Sequence, residues 1–390
     1  MLIVLWASQP AYSGTLVLVS IDGFRHDYLE LFPAPALQSI AQDGFRVERL
    51  EPVYPTNTFP THISMITGLK PADHGIEDNH FCDAQRQSCY HMGDGQHDPS
   101  WLKGKPLWNQ VKEQGGIAAT YFWPESEARW SGAQPTYYFP YEQSVPYDKR
   151  VKQVLNWLKL PESKRPQFIT LYFSAVDVAG HAYGPQSKAV GAAIADVDRH
   201  VAALRKGFNE LGRNDINLLV VSDHGMTTIA PGYEIFIDQL PIAEGFQMLH
   251  DQARAKYYRR SNATNISDLM GKMESVAAGR YEVFTADKAL RNGGHTETTA
   301  PAITLRARPP YFFAQSALSA NRLMGAHGYS ANHPDMAAFA VGVGPAFCKG
   351  RLNTAHQLDI YPVALKIMGY VVPENIVSDG GTLKSILCSR

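Results

Sequence analysis

The chain has 390 residues, 45% hydrophobic and 19% charged, with a formal net charge of −1 at pH 7. This is the composition of a soluble globular protein, long enough for one large α/β domain or two modest ones. Lys and Arg are scattered and nearly balanced by Asp and Glu, which excludes a global basic field and argues against a sequence-specific nucleic-acid partner.

The opening residues, MLIVLWASQPAYSG, pass from apolar to small and polar. They resemble the latter part of a secretory signal, so residues 1–13 are read as a leader and 14–390 as one domain. No other stretch approaches the roughly 18 apolar residues of a spanning helix. The first strand is expected in TLVLVSIDG (15–23). YPTNTFPTH (54–62) reads as a loop entering a short helix, with Pro60 in the first turn, where its missing N–H costs nothing, and Gly68 closing it. Further apolar runs, GIAATYFW (116–123), PQFITLYFSAVD (166–177), INLLVVSDHG (216–225) and MAAFAVGVG (336–344), look like buried parallel strands. Helical patterns lie between and after them, at 147–160 with Val151, Val154, Leu155 and Leu158 on one face, at 187–212, and at 357–370. This alternation predicts an α/β fold with a mostly parallel central sheet and helices on both faces. Residues from about 232 to 320 break the rhythm and predict a small α+β insertion, which carries sequons at Asn262 and Asn265. Four cysteines allow three connectivities, of which 82–89 with 348–388 is one; with the leader they favour an exported protein, periplasmic or secreted.

The acids fall in a pattern. Asp22, Asp177 and Asp223 each close an expected strand, and strand C-termini in an open parallel sheet converge on the rim where α/β proteins bind ligands. His181 follows Asp177 by four residues, His224 follows Asp223 directly, and His327 sits in the glycine-flanked GAHGY. Three carboxylates and three imidazoles suit zinc, and six donors suffice for two ions. Two divalent cations against three carboxylates leave about one positive unit, which attracts an anion.

Together VSIDGFR, YPTNTFPTHISMITGLKPADHGI, AVDVAGHAYGP, VVSDHGM and GAHGY, in this order, resemble the motif set of the nucleotide pyrophosphatase/phosphodiesterase family of the alkaline phosphatase superfamily, from about residue 15 to about 370. The resemblance implies an alkaline phosphatase-like fold, two Zn²⁺ per chain, and hydrolysis of phosphodiester or phosphoanhydride bonds in small nucleotides. It assigns one zinc to Asp22, Asp223, His224 and the Thr58 hydroxyl, and the other to Asp177, His181 and His327. Thr58 becomes the nucleophile, forming a phosphothreonine, and Asn79 a donor to a phosphoryl oxygen. Phe59, Tyr172 and Tyr141 are the expected aromatic partners of a nucleobase. The family commonly has Asn where this chain has Thr61, which is left without a role. His62 is read as a neighbour of the site and His74 as a turn residue, while His295 and His333 stay open as alternatives near the third metal motif.

Two other readings share these motifs. One is a phosphodiesterase of the same superfamily acting on choline phosphodiesters, lysophospholipids or phosphonates. The other is a catalytically silent metal-binding protein. A sulfatase is disfavoured because Thr58 cannot supply the modified Cys or Ser, and no G-x-S-x-G elbow supports a serine hydrolase. Oligomeric state has no signature in the sequence.

Overall fold

The computed structural model describes residues 14–260, 265–291, 294–319 and 322–388. The expected leader and the Asn262 sequon lie outside the described residues.

Eight strands form the central sheet: β1 (Thr15–Ile21), β2 (Phe45–Glu51), β3 (Ala118–Tyr121), β4 (Tyr137–Phe139), β5 (Phe168–Phe173), β6 (Ile216–Val221), β7 (Ala338–Val343) and β8 (Gly350–His356). Their order is β8-β2-β7-β6-β1-β5-β3-β4. The most continuous apolar strands take the centre: β1, β5 and β6 are buried at every residue, as strands covered on both faces must be. β1 pairs in parallel with both β5 and β6. The expectation of a parallel strand at 336–344 is corrected, because β7 runs antiparallel to β2 and to β6. The chain returns to the sheet from a long excursion at the rim, and that return sets its direction.

Helices cover both faces. Leu37 and Ile40 of the helix Pro35–Asp43 join Val151, Val154 and Leu158 of Tyr147–Leu158 and Val190, Ile194 and Val201 of Lys188–Glu210 in one core layer. Ile63 and Ile66 of Thr58–Thr67 and Ile360, Val363 and Ile367 of Ile360–Met368 pack in the other. Leu155, expected on the buried face of its helix, is only partly buried.

Between β6 and β7 the chain builds a second sheet from Phe246–His250, Arg254–Arg259, Ile303–Ala307 and Tyr281–Thr285, all antiparallel, with the helix Ile266–Ala277 laid on it. Met273, Tyr281, Ile303 and Leu305 give this unit its own core. Disulfides join Cys82 to Cys89 across a hairpin and Cys348 to Cys388 near the end of the described chain.

Candidate active site

The rim above β1, β5 and β6 gathers the residues singled out by chemistry. Asp22 follows β1 directly, and Asp223 and His224 follow β6. Asp177 does not end a strand, which corrects the expectation: β5 stops at Phe173, and Asp177 lies in the first turn of the helix Ala175–Tyr183. The apolar run through Ser174 and Ala175 hides that boundary. On this helix His181 lies one turn beyond Asp177, on the same face. His327 follows the strand Met324–Ala326, which pairs with Thr227–Ile229 just past His224. Gly23 (φ +67°) lets two rims close together, since a Cβ there would stand 2.9 Å from Asp177 Cβ.

Thr58 opens the helix Thr58–Thr67, with Asn57 as its N-cap and Gly68 in the left-handed conformation at its end. The Thr58 hydroxyl lies 3.4 Å from His224 Nε2. Thr61 turns its hydroxyl back to the carbonyls of Asn57 and Thr58, at 2.7 and 3.1 Å, and so serves the helix start. His62, fully buried, bonds Ser20 Oγ and the Thr58 carbonyl, both at 2.8 Å, and has Nδ1 3.4 Å from Asp223 Oδ2.

The three histidines share one orientation. Nδ1 of His181, His224 and His327 faces the backbone carbonyls of Gly325, Gly225 and Thr56, at 3.0, 2.9 and 2.9 Å. A carbonyl can only accept, so Nδ1 carries the proton and Nε2 turns inward as a potential ligand atom. His224 Nε2 reaches Asp223 Oδ2 at 3.0 Å and Asp22 Oδ1 at 3.6 Å, and the His181 and His327 Nε2 atoms approach Asp177 Oδ1 at 3.4 and 3.8 Å. Two tight donor groups result, Asp22–Asp223–His224 and Asp177–His224–His327. His224 touches both, its ring stacked 3.7 Å from that of His327. His181 borders the second group.

The electrostatics fit a site in which carboxylates outnumber the positive charge that its own imidazoles supply. Asp22 Oδ1, Asp177 Oδ1 and Asp223 Oδ2 are buried without a hydrogen-bond partner among the described residues. Burial, and then the carboxylates of Asp223 and Asp177, hold the Asp22 carboxyl well above its ordinary range; burial likewise raises Asp177. Burial would raise Asp223 too, but the imidazoles of His224 and His62 pull it down. Burial disfavours an imidazolium at His224, yet Asp223, Asp22 and Asp177 raise it to about 10.

Beside the cluster opens a cavity of about 470 Å³ lined by Thr58, Phe59, Asn79, Trp123, Tyr141 and Tyr172, among others. Asn79 Oδ1 accepts from the Phe59 N–H at 2.9 Å, which turns Nδ2 outward as a donor. Tyr172 is nearly buried, and its hydroxyl donates to Asp22 Oδ2 at 2.5 Å; the expectation of a rim aromatic missed this link. Tyr141 is half-exposed, 6.0 Å from the Tyr172 ring. His74 is buried against Ser64 Oγ, His295 pairs with Glu77, and the His333 ring accepts from the Asp335 N–H, so all three lie outside both donor groups.

Sequence reasoning missed the support beneath Asn79. Asp78 accepts from Asn57 Nδ2 and from the Asn79 N–H, each at 2.8 Å, and pairs with Arg254 and Lys256 from the inserted sheet. Arg254 and Lys256 stand two apart on one strand and so face the same side, the one signal available. Glu125 was missed as well: it lines the cavity with a left-handed backbone (φ +60°), accepting from Tyr90 and from the Gly95 N–H.

A family model described as "Type I phosphodiesterase / nucleotide pyrophosphatase" matches residues 16–330. Mouse ectonucleotide pyrophosphatase/phosphodiesterase family member 1 is 30% identical over 392 aligned residues, covering 94% of this chain and 42% of that protein. A venom phosphodiesterase of Macrovipera lebetinus is 39% identical over 219 residues, 55% of this chain and 26% of that protein. The chain thus spans less than half the length of these relatives. Among solved structures, murine ectonucleotide pyrophosphatase/phosphodiesterase 5, as an inactive Thr-to-Ala variant in complex with AMP, superimposes with a TM-score of 0.86 at 25% identity, covering 96% of this chain and 100% of that one.

Proposed function

Because this chain belongs to the type I phosphodiesterase/nucleotide pyrophosphatase family, we propose that it hydrolyses phosphodiester and phosphoanhydride bonds in nucleotides, releasing nucleoside 5′-monophosphates through a phosphothreonine at Thr58. One observation carries this reading: the Thr58 hydroxyl, at a helix start, lies between a cluster of partnerless carboxylate oxygens and an aromatic cavity.

The family implies zinc, and the donors fit it. Three buried carboxylate oxygens lacking partners and three inward Nε2 atoms form a ligand set that suits a divalent cation, with His224 giving up its second proton on binding. Asp22, Asp223, His224 and Thr58 would hold one ion, and Asp177, His181 and His327 the other. When bound, zinc lowers the pKa of hydroxyl and water and offsets charge that develops on phosphoryl oxygens.

The chain's own groups do the rest. The N-terminal end of the Thr58–Thr67 helix favours negative charge at Thr58 and at a bound phosphate. Thr58 Oγ attacks phosphorus, forming the Oγ–P bond while the bond to the departing oxygen breaks and that oxygen keeps the electron pair. The hydroxyl proton passes to solvent. Water then attacks the phosphothreonine, the Oγ–P bond breaks, and a proton returns to Thr58. Asn79 Nδ2 donates to a non-bridging oxygen. Phe59 and Tyr141 offer ring faces to the base, at about 1–3 kcal/mol per stacked base, while Tyr172 adds a wall and orients Asp22.

The test is Thr58→Ala. The variant should keep its zinc and lose at least about a thousandfold in turnover of an aryl ester of a nucleoside monophosphate. Turnover near that of the unmodified protein, with metal confirmed, would overturn the assignment. Export is part of the proposal: two disulfides favour an oxidising compartment. Among the described residues no helix is long and apolar enough to cross a membrane.

A further inference from the structure

The aromatic cavity carries a carboxylate that the proposed chemistry does not use. The cavity's rings follow in order from the metal donors: Asp22 Oδ2 accepts from the Tyr172 hydroxyl at 2.5 Å, and the Tyr141 ring lies 6.0 Å from that of Tyr172. The Tyr141 N–H in turn donates to Glu127 Oε1 at 2.8 Å. Glu127 is half-buried and lines the cavity, several contacts removed from Asp22, where a base and not a phosphate is placed.

Glu127 Oε2 makes no hydrogen bond, and the side chain no ion pair, among the described residues. Unlike Glu125 Oε2, which is closed off from solvent, it is open to a ligand. Gln96 and Gln143 also line this cavity, but an amide both donates and accepts and so suits any base edge. A carboxylate only accepts, and so discriminates.

From this geometry we infer that Glu127 is a specificity-determining residue: its Oε2 accepts a hydrogen bond from the exocyclic amine of the base, and the protein prefers nucleotides of cytosine and adenine to those of uracil and thymine. This deepens the proposed activity and rests on it. Glu127 is anchored to the Tyr141 backbone and not over its ring, so a base stacked on that ring turns an edge to the carboxylate. Cytosine presents N4–H₂ and adenine N6–H₂ on that edge, where uracil and thymine present the O4 oxygen. An amine gains a charge-assisted hydrogen bond there. An oxygen sets its lone pairs against the carboxylate and leaves Oε2 unpaired, which costs binding. Stacking on Phe59 and Tyr141 alone tolerates any base, and the carboxylate adds the choice.

The experiment compares kcat/KM for the p-nitrophenyl esters of CMP and UMP, whose bases match in size, in the unmodified protein and in Glu127→Gln. The unmodified protein should favour the CMP ester about tenfold, the worth of one hydrogen bond to a charged group at a half-open site. In the variant the amide oxygen still accepts from the Tyr141 N–H, which turns its N–H₂ toward the cavity, so the preference should vanish or pass to UMP. A role confined to holding Tyr141 would slow both esters alike and leave their ratio unchanged. Independently of any variant, the AMP ester should be cleaved faster than the IMP ester by a similar factor, because IMP has an oxygen in place of the amine. Equal kcat/KM for the CMP and UMP esters in the unmodified protein, or a CMP preference kept in Glu127→Gln, overturns the inference. A protein that cleaves none of these esters overturns the proposed activity itself, a distinguishable result.

Discussion

Asp78 and the trio Asp22, Asp177 and Asp223 both lie near the start of the helix Thr58–Thr67, and their charge is answered in opposite ways. Asp78 is almost wholly buried, yet it has every partner it needs: Arg254 Nη1 at 2.9 Å, Lys256, Asn57 Nδ2 and the Asn79 N–H. Burial would raise its pKa, but the two cations hold it well below the carboxylate range. Asp22 and Asp223 are buried and Asp177 half-buried, each with one buried oxygen left unpaired, and burial raises Asp22 and Asp177. The ion pairs they make among the described residues are with imidazoles, from His62, His181, His224 and His327. Neutralisation from within the chain builds a scaffold. Carboxylate oxygens left without such partners suit a divalent cation, and a bound divalent ion keeps positions open for substrate where a lysine does not.

The largest expected effect breaks the second cluster alone. Chelation should lower turnover by roughly a thousandfold or more, and zinc should restore it. The melting temperature should fall with chelation and rise with zinc concentration, as for any ligand bound only by the folded state. Full activity in protein shown to hold no metal would remove the distinction between the clusters.

The next effect belongs to the scaffold. Asp78→Asn leaves Arg254 and Lys256 buried against a neutral amide, and it should cost about 3–5 kcal/mol in denaturant unfolding. Turnover should drop too, because Asn57 and Asn79 both hang on that carboxylate. A loss below about 1 kcal/mol would show the pairs to be weak.

What could be read from the sequence follows the same division. The Asp22–Asp177–Asp223 cluster with its histidines was legible because its residues sit at the ends of apolar runs or beside glycines, so each is marked locally. Asp177 was the partial exception, since no polar break separates β5 from the next helix. The direction of β7 was hidden, because composition marks burial and not the path by which the chain returns. The Asp78 cluster was illegible for a plainer reason: its bonds join residues 176 and 178 positions apart, and nothing near Arg254 or Lys256 announces their partner.

A further carboxyl, Glu125, sharpens the contrast, lying in neither cluster. Glu125 accepts from the Tyr90 hydroxyl at 2.5 Å and the Gly95 N–H at 3.2 Å, its Oε2 has no partner among the described residues, and burial raises it to about 7. Its folded pKa lies above the unfolded value of about 4.5, so the folded state binds the proton more tightly. Stability should therefore fall as pH rises from about 4.5 to about 7 and then level off, by at most about 3 kcal/mol. Glu125→Gln should flatten that limb in urea unfolding at a series of pH values. An equal slope in the variant would assign it to other groups.

The smallest effect is the most discriminating, because it applies the Asp78 substitution to the other cluster and predicts the opposite sign. In metal-free protein the Asp22 carboxyl has its pKa raised by burial and by Asp223 and Asp177. A carboxyl raised in this way costs stability above its unfolded pKa near 3.8 and costs nothing below it. Asp22→Asn keeps an acceptor for the Tyr172 hydroxyl and removes the charge. Metal-free Asp22→Asn should thus unfold about 1 kcal/mol later than metal-free unmodified protein at pH 8, and the gain should vanish as pH falls toward 4. With zinc present the order should reverse, because the carboxylate then gains a cation. If Asp22→Asn destabilises the metal-free protein as Asp78→Asn does, positive charge within the chain already answers the Asp22 carboxylate, and the contrast between the two clusters fails at that residue.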